Sequence, residues 1–164
     1  MQIIKDLNSA EDYPVFYEHL NRWFKHNKNG AIPSITDVMQ DDRLVAHRII
    51  AYKEDKRIRY AQVGDNLEKL YGSSLVGKYI DQLYNPWFRK NALNSYITAE
   101  DEKLPLYEQR QVSTIIKKIG YQKLVLPLGS GEAVTNFATY IVPMHADIQN
   151  YDDWQDLVKQ TPWL

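Results

Sequence analysis

Residues 59–78 read RYAQVGDNLEKLYGSSLVGK, and the way this stretch divides decides the architecture. Its first residues continue an apolar and β-branched run from Ile58 to Val63, which predicts a strand that Gly64-Asp65 ends. Asp65 then offers its carboxylate to the free N–H groups of a short helix, NLEKLYG, closed by Gly72. Gly77 precedes a second short segment, KYIDQLY, which stops at Asn85-Pro86. A strand followed by small helices marks where a hairpin ends and a helical insert begins.

Upstream, residues 43–52 (RLVAHRIIAY) are apolar on both alternating faces, which predicts a strand covered on both sides and interrupted by His47 and Arg48. The charged turn at 53–56 is too short for a parallel crossover, so the two strands form an antiparallel hairpin. Further upstream, Ser9 or Asp12 caps a helix with Pro14 in its first turn and Val15, Phe16, Leu20, Trp23 and Phe24 on one face. Asn29-Gly30 stops it, and 31–37 (AIPSITD) reads as a connector.

Downstream, 87–98 predicts a longer helix with a partial apolar face of Trp87, Phe88, Ala92, Leu93 and Tyr96. Strands are expected over 107–117, 121–128 and 134–142, with Gly120 and Gly129-Ser130-Gly131 as turns. Ile148, Tyr151, Trp154, Leu157 and Val158 have the near-helical spacing of a short C-terminal helix. The expected class is α+β: a five-stranded antiparallel sheet, a helical insert on one face, and N-terminal and C-terminal helices. It divides into 1–30, 31–146 and 147–164.

Composition narrows the chemistry. The 164 residues hold no cysteine, which excludes disulfides, Cys-ligated zinc, iron–sulfur clusters and thiolate nucleophiles. Twenty Lys and Arg against 21 Asp and Glu give no bulk electrostatic reason to expect nucleic acid or an anionic membrane as partner. No window approaches the ~18 to 20 apolar residues of a membrane span, and 1–10 lacks a secretory signal, so a cytoplasmic location is expected.

Particular residues also carry a family likeness. They are Trp23 with the following Ile32, Pro33, Ser34 and Asp37; Gly64, Leu67, Tyr71-Gly72, Leu75 and Gly77 within 59–78; and YQKLVLPLGSGEAV at 121–134. Over about 15–142 the chain resembles the PAS-like family common in alphaproteobacteria, often met as stand-alone proteins. That family commonly has Arg where Ala61 stands, Thr where Asp65 stands and a basic residue where Ile35 stands, so a ligand held by that Arg does not carry over.

The resemblance implies a non-enzymatic sensory module with a small-molecule cavity between sheet and insert. The fold would use nearly the whole chain, so output passes to a separate signalling protein or through a homodimer. Polar or amphipathic candidates for the cavity are Arg48, Tyr60, Gln62, Tyr71, Trp87, Asn136 and Tyr140. Alternation does not settle which strand face looks inward, because both are apolar. The alternative is an interaction module with a self-filled core and a homodimer surface of Trp23, Phe24 and Trp154. A third reading is a small-molecule enzyme with His47 or Tyr60 as acid or base.

Cofactors are partly constrained. Cysteine-adduct flavin and cysteine-linked chromophores are excluded, and the oxygen-sensing haem mode is not expected because 87–98 contains no His. Noncovalent flavin has no fingerprint here, and the cofactor stays unassigned. His19 and His26 read as a solvated helix surface, and no HExxH or GxSxG spacing occurs. The carboxylate runs Asp41-Asp42, Glu100-Asp101-Glu102 and Asp152-Asp153 read as solvated charge.

Overall fold

A computed structural model describes residues 1–144 apart from Gly72, Asn85 and 114–117. The expected C-terminal helix with Trp154, the stops at Gly72 and Asn85, and His145 lie outside the described residues. In chain order the elements are β1 (Gln2–Ile3), α1 (Tyr17–His26), α2 (Ile35–Val38), β2 (Arg48–Glu54), β3 (Arg57–Val63), α3 (Asp65–Tyr71), α4 (Pro86–Glu102), β4 (Leu106–Ser113), β5 (Lys118–Ser130) and β6 (Ala133–Pro143). They form one antiparallel sheet in the order β1-β4-β5-β6-β2-β3. This is the expected α+β, PAS-like arrangement, with α3 and α4 inserted between the β2–β3 hairpin and the last three strands. The sheet has a sixth strand, β1, because Gln2 and Ile3 pair with Tyr107 and Leu106 at the β4 edge. Two residues carry no periodic signal.

The strand expected from Arg43 begins at Arg48, and Val45–His47 forms a 3₁₀ turn instead. Gly64 explains the displacement: its N–H donates to the Arg48 carbonyl at 2.8 Å, and a side chain at Gly64 would place Cβ only 2.3 Å from the Ala46 carbonyl oxygen. The turn therefore packs on bare backbone, and His47 precedes the strand. The expected connector 31–37 contains α2, because Ser34 and Asp37 cap one another reciprocally. Ahead of it, Ile32 donates to the Gly131 carbonyl at 2.8 Å and the Pro33 carbonyl accepts from Gly129 at 3.0 Å, which covers the end of β5. Pairing of β4 with β5 stops at Val125, so Pro127 costs the sheet no bond on that side.

Register then decides which residues face the insert. Ile49, Ala51, Val125 and Phe137 pack with α3 and α4 residues, whereas Ile50, Leu124, Leu126, Leu128, Ala138 and Tyr140 pack with Phe16, Leu20 and Trp23 on the other face. A bulge at Ala61 adds a reversal within β3. Ile50 pairs with Gln62 but Ala51 pairs with Tyr60, so Tyr60 and Gln62, two apart, face opposite sides. Gly77, at φ +81°, turns the insert back onto β3, where its N–H donates to the Tyr60 carbonyl at 2.7 Å and the Tyr60 N–H donates to Lys78 at 2.9 Å.

Candidate functional site

Between the sheet and the insert lies a cavity of about 550 Å³. Ile49 and Val125 from the sheet, Leu67 from α3, Leu75 and Leu83 from the following turns and Phe88 from α4 supply much of its apolar wall. α4 turns Ala92, Ser95, Tyr96 and Ala99 toward the sheet, while Leu93, expected on its apolar face, is 42% exposed. Tyr60, Tyr71, Tyr96 and Tyr121 line it, together with the exposed Tyr84. Thr139 Oγ1 donates to Tyr96 Oη at 3.0 Å. Burial raises the Tyr60 hydroxyl well above its ordinary value and pushes Tyr96 and Tyr121 up to about 12, so all three are neutral near pH 7. The Tyr71 hydroxyl is buried and has no hydrogen-bond partner among the described residues.

A buried charge cluster closes one end. Lys123, 6% exposed, places Nζ 2.5 Å from Glu108 Oε2 and donates to Ser95 Oγ at 2.6 Å. The Ser95 hydroxyl in turn donates to the Asn91 carbonyl at 2.8 Å. Glu108 Oε1 accepts from Arg110 Nη2 at 2.7 Å, and Arg110 also donates to Asn91 Oδ1 at 2.8 Å with its guanidinium 5.1 Å over the Trp87 ring. Glu108 and Lys123 are direct cross-strand partners. Burial alone would favour the neutral acid of Glu108, but Lys123 and Arg110 hold it below the usual carboxylate range. Burial draws the Lys123 ammonium down against the pull of Glu108.

The opposite face carries a second cluster, built around a carboxylate that accepts four hydrogen bonds, while the other ring nitrogen of its His19, Nδ1, is buried with no partner among the described residues. Asp42, 2% exposed, accepts from His19 Nε2 at 2.7 Å, the Leu44 N–H at 2.9 Å, Arg48 at 2.8 Å and the Tyr140 hydroxyl at 2.7 Å. Burial opposes ionisation there, yet these bonds keep Asp42 well below the usual range. His19 and Asp42 are thus corrections to the solvated reading: α1 turns His19 inward beside Leu20 and Trp23, and the loop before β2 folds the carboxylate under it.

Of the seven residues named from sequence, Tyr60 and Tyr71 line the cavity. Arg48, Gln62 and Tyr140 meet on the Asp42 side, where Arg48 donates to Gln62 at 3.4 Å. Asn136 shares the parity of Tyr140 on β6 and is buried outside the cavity wall. Trp87 stacks under Arg110 and does not line the cavity. Trp23, expected at a homodimer surface, is fully buried within the chain and donates Nε1 to the Pro127 carbonyl at 2.8 Å. Phe24 packs edge-on against Trp23, half-buried. His47, half-buried with Nε2 3.2 Å from Asn66 Nδ2, does not line the cavity, so His47 and Tyr60 do not share its wall. His26 is exposed, 3.8 Å from Asp37. The polar groups that sequence reasoning missed include Lys78, Asn91, Ser95, Tyr96, Glu108, Tyr121, Lys123 and Thr139. One signal was available: Lys123 interrupts an apolar run at the parity of Tyr121 and Val125.

Among the described residues no group of three His, Asp or Glu is placed to hold a metal ion, and no helix is long and apolar enough to cross a membrane. No family model and no curated protein matches the chain. Among solved structures it is similar to the PAS domain of Bordetella pertussis BvgS at 15% identity and TM-score 0.47, covering 69% of this chain and 88% of that one. The light state of the blue-light photoreceptor Aureochrome1 LOV is similar at 12% identity and TM-score 0.42, with 71% of this chain and 91% of that one covered. An RNA-binding Light-Oxygen-Voltage receptor is similar at 12% identity and TM-score 0.44, over 70% of this chain and 34% of that one. At such identities a likeness concerns the backbone and not the chemistry of a site.

Proposed function

We propose that the chain is a non-enzymatic sensory module that binds a small molecule between its sheet and helical insert and relays occupancy to a separate partner or a second copy. The observation that supports this reading is the cavity of about 550 Å³, whose apolar wall is joined by a few buried polar groups. That combination is the usual form of a small-molecule site. Binding would withdraw apolar wall from water and give the Tyr71 hydroxyl an acceptor, relieving a penalty of about 1–3 kcal/mol for a buried unpaired group. The walls from α3 and α4 would tighten on the sheet, which gives occupancy a mechanical readout. A cavity of this size also weighs against a self-filled core.

The test is a thermal-shift screen of the full chain with native mass spectrometry of the purified protein, repeated on Ala92→Phe, which fills the cavity from α4. A ligand at about 100 times its Kd stabilises by about 2.7 kcal/mol, a shift of several degrees. The expected result is a stabilising compound or retained mass adduct in the wild type and none in the variant. A broad screen with neither, or equal shifts in both proteins, would contradict the reading. Light scattering with and without the stabilising compound tests the homodimer arm of the relay.

A further inference from the structure

The charged residues that line the cavity are Lys78, exposed, and Lys123, buried; no Asp or Glu lines it among the described residues. Behind Lys123 stands a single carboxylate, Glu108, shared with Arg110. Two cations on one carboxylate leave the cluster with one net positive charge at the cavity wall. An ammonium has three N–H donors, and among the described residues the structure gives Lys123 two acceptors, Glu108 and Ser95. A buried charge without full compensation is costly, and a matching anion removes that cost. The remaining wall is apolar and aromatic, so the body of the ligand must be apolar.

We infer, resting on the cavity reading above, that the ligand is an apolar monocarboxylic acid, with its carboxylate against Lys123 and its hydrocarbon or aromatic body among Leu67, Phe88 and Val125. One negative charge is what the cluster takes. A dianion such as a phosphate monoester would meet the Glu108 carboxylate, which lies only 2.5 Å behind the Lys123 ammonium. Asn91, whose amide carries N–H donors, lines the same end, where the Ser95 hydroxyl already donates to the Asn91 carbonyl. A neutral headgroup could accept from the ammonium but would bring no negative charge to offset it.

Two matched pairs of probes isolate the charge: octanoate with octanamide, and hydrocinnamate with hydrocinnamamide. Calorimetric titration of the full-length chain is expected to show each carboxylate binding roughly tenfold to a hundredfold tighter than its amide. Lys123→Met is expected to erase that preference, so that each carboxylate and its amide bind alike. Lys123→Gln, which keeps a polar partner for Glu108 and Ser95, is expected to do the same and supplies the result if Lys123→Met does not fold. Carboxylates binding no better than amides to the wild type, or a preference that survives loss of Lys123, would overturn the inference and leave the cavity reading standing. Failure of all four probes to bind the wild type would overturn both.

Discussion

On the α1 side of the sheet, Phe16, Leu20 and Trp23 fill the space over Leu124, Leu126 and Leu128, and the buried carboxylate there, Asp42, accepts four hydrogen bonds from its own chain. On the α4 side, alternate residues of the same strands face a cavity, and the buried ammonium there, Lys123, has two acceptors for three donors among the described residues. The strands differ little in apolar content between their faces. What differs is the cover: a helix with an indole donating into the sheet on one side, and the short α3 with the long α4 set around a cavity on the other. The sealed face holds the fold together, and the open face is where there is room for an external molecule, beside the Tyr71 hydroxyl and Lys123.

The largest effect should come from opening the sealed face. Trp23→Ala is expected to cost about 3–5 kcal/mol in urea denaturation, since it leaves a large void and an unpaired Pro127 carbonyl. A loss under about 1 kcal/mol would mean that α1 is not the seal. Next is Asp42→Asn, expected to cost about 2–4 kcal/mol because four donors lose a charged acceptor. The pH dependence has a definite sign. Asp42 is depressed in the folded state, so its contribution is fully present above the ordinary Asp value of 3.8 and is lost as pH falls below it toward the lower folded value. Wild-type stability should therefore fall more steeply than that of Asp42→Asn across that acid range; parallel curves would remove Asp42 from its role.

These two residues also mark how far sequence reasoning reached. The hairpins, the inserted helices and the three closing strands were legible because Gly, Pro and Asp-Asn signals punctuate them and alternation runs between, except that Gly120, expected as a turn, pairs with Gln111 inside β5. Asp42 was not, since a carboxylate in a loop reads as solvated unless the fold brings donors to it, and its donors come from residues 19, 48 and 140. Arg48 and Tyr140 were singled out as polar residues in apolar strands and do form a buried cluster, on the face away from the cavity. Gln62 went with them because the bulge at Ala61 reverses parity. Lys123 had a readable signal, but its meaning depended on Glu108 standing directly across the strand pair.

The smallest effect should come from filling the open face. Ala92→Phe adds a ring where the cavity has room, and its stability is expected to stay within about 1 kcal/mol of wild type while small-molecule binding is lost. A large destabilisation would mean that the cavity is tighter than its volume indicates.

The difference between the faces can be read in one experiment: methyl spectra of the full chain titrated with octanoate and octanamide. The account expects shifts concentrated at Ile49, Leu67, Val125 and Ile141, which line the cavity, with Ile50, Leu124, Leu126 and Leu128 unmoved. Shifts spread equally over both sets, or confined to the second, would contradict it.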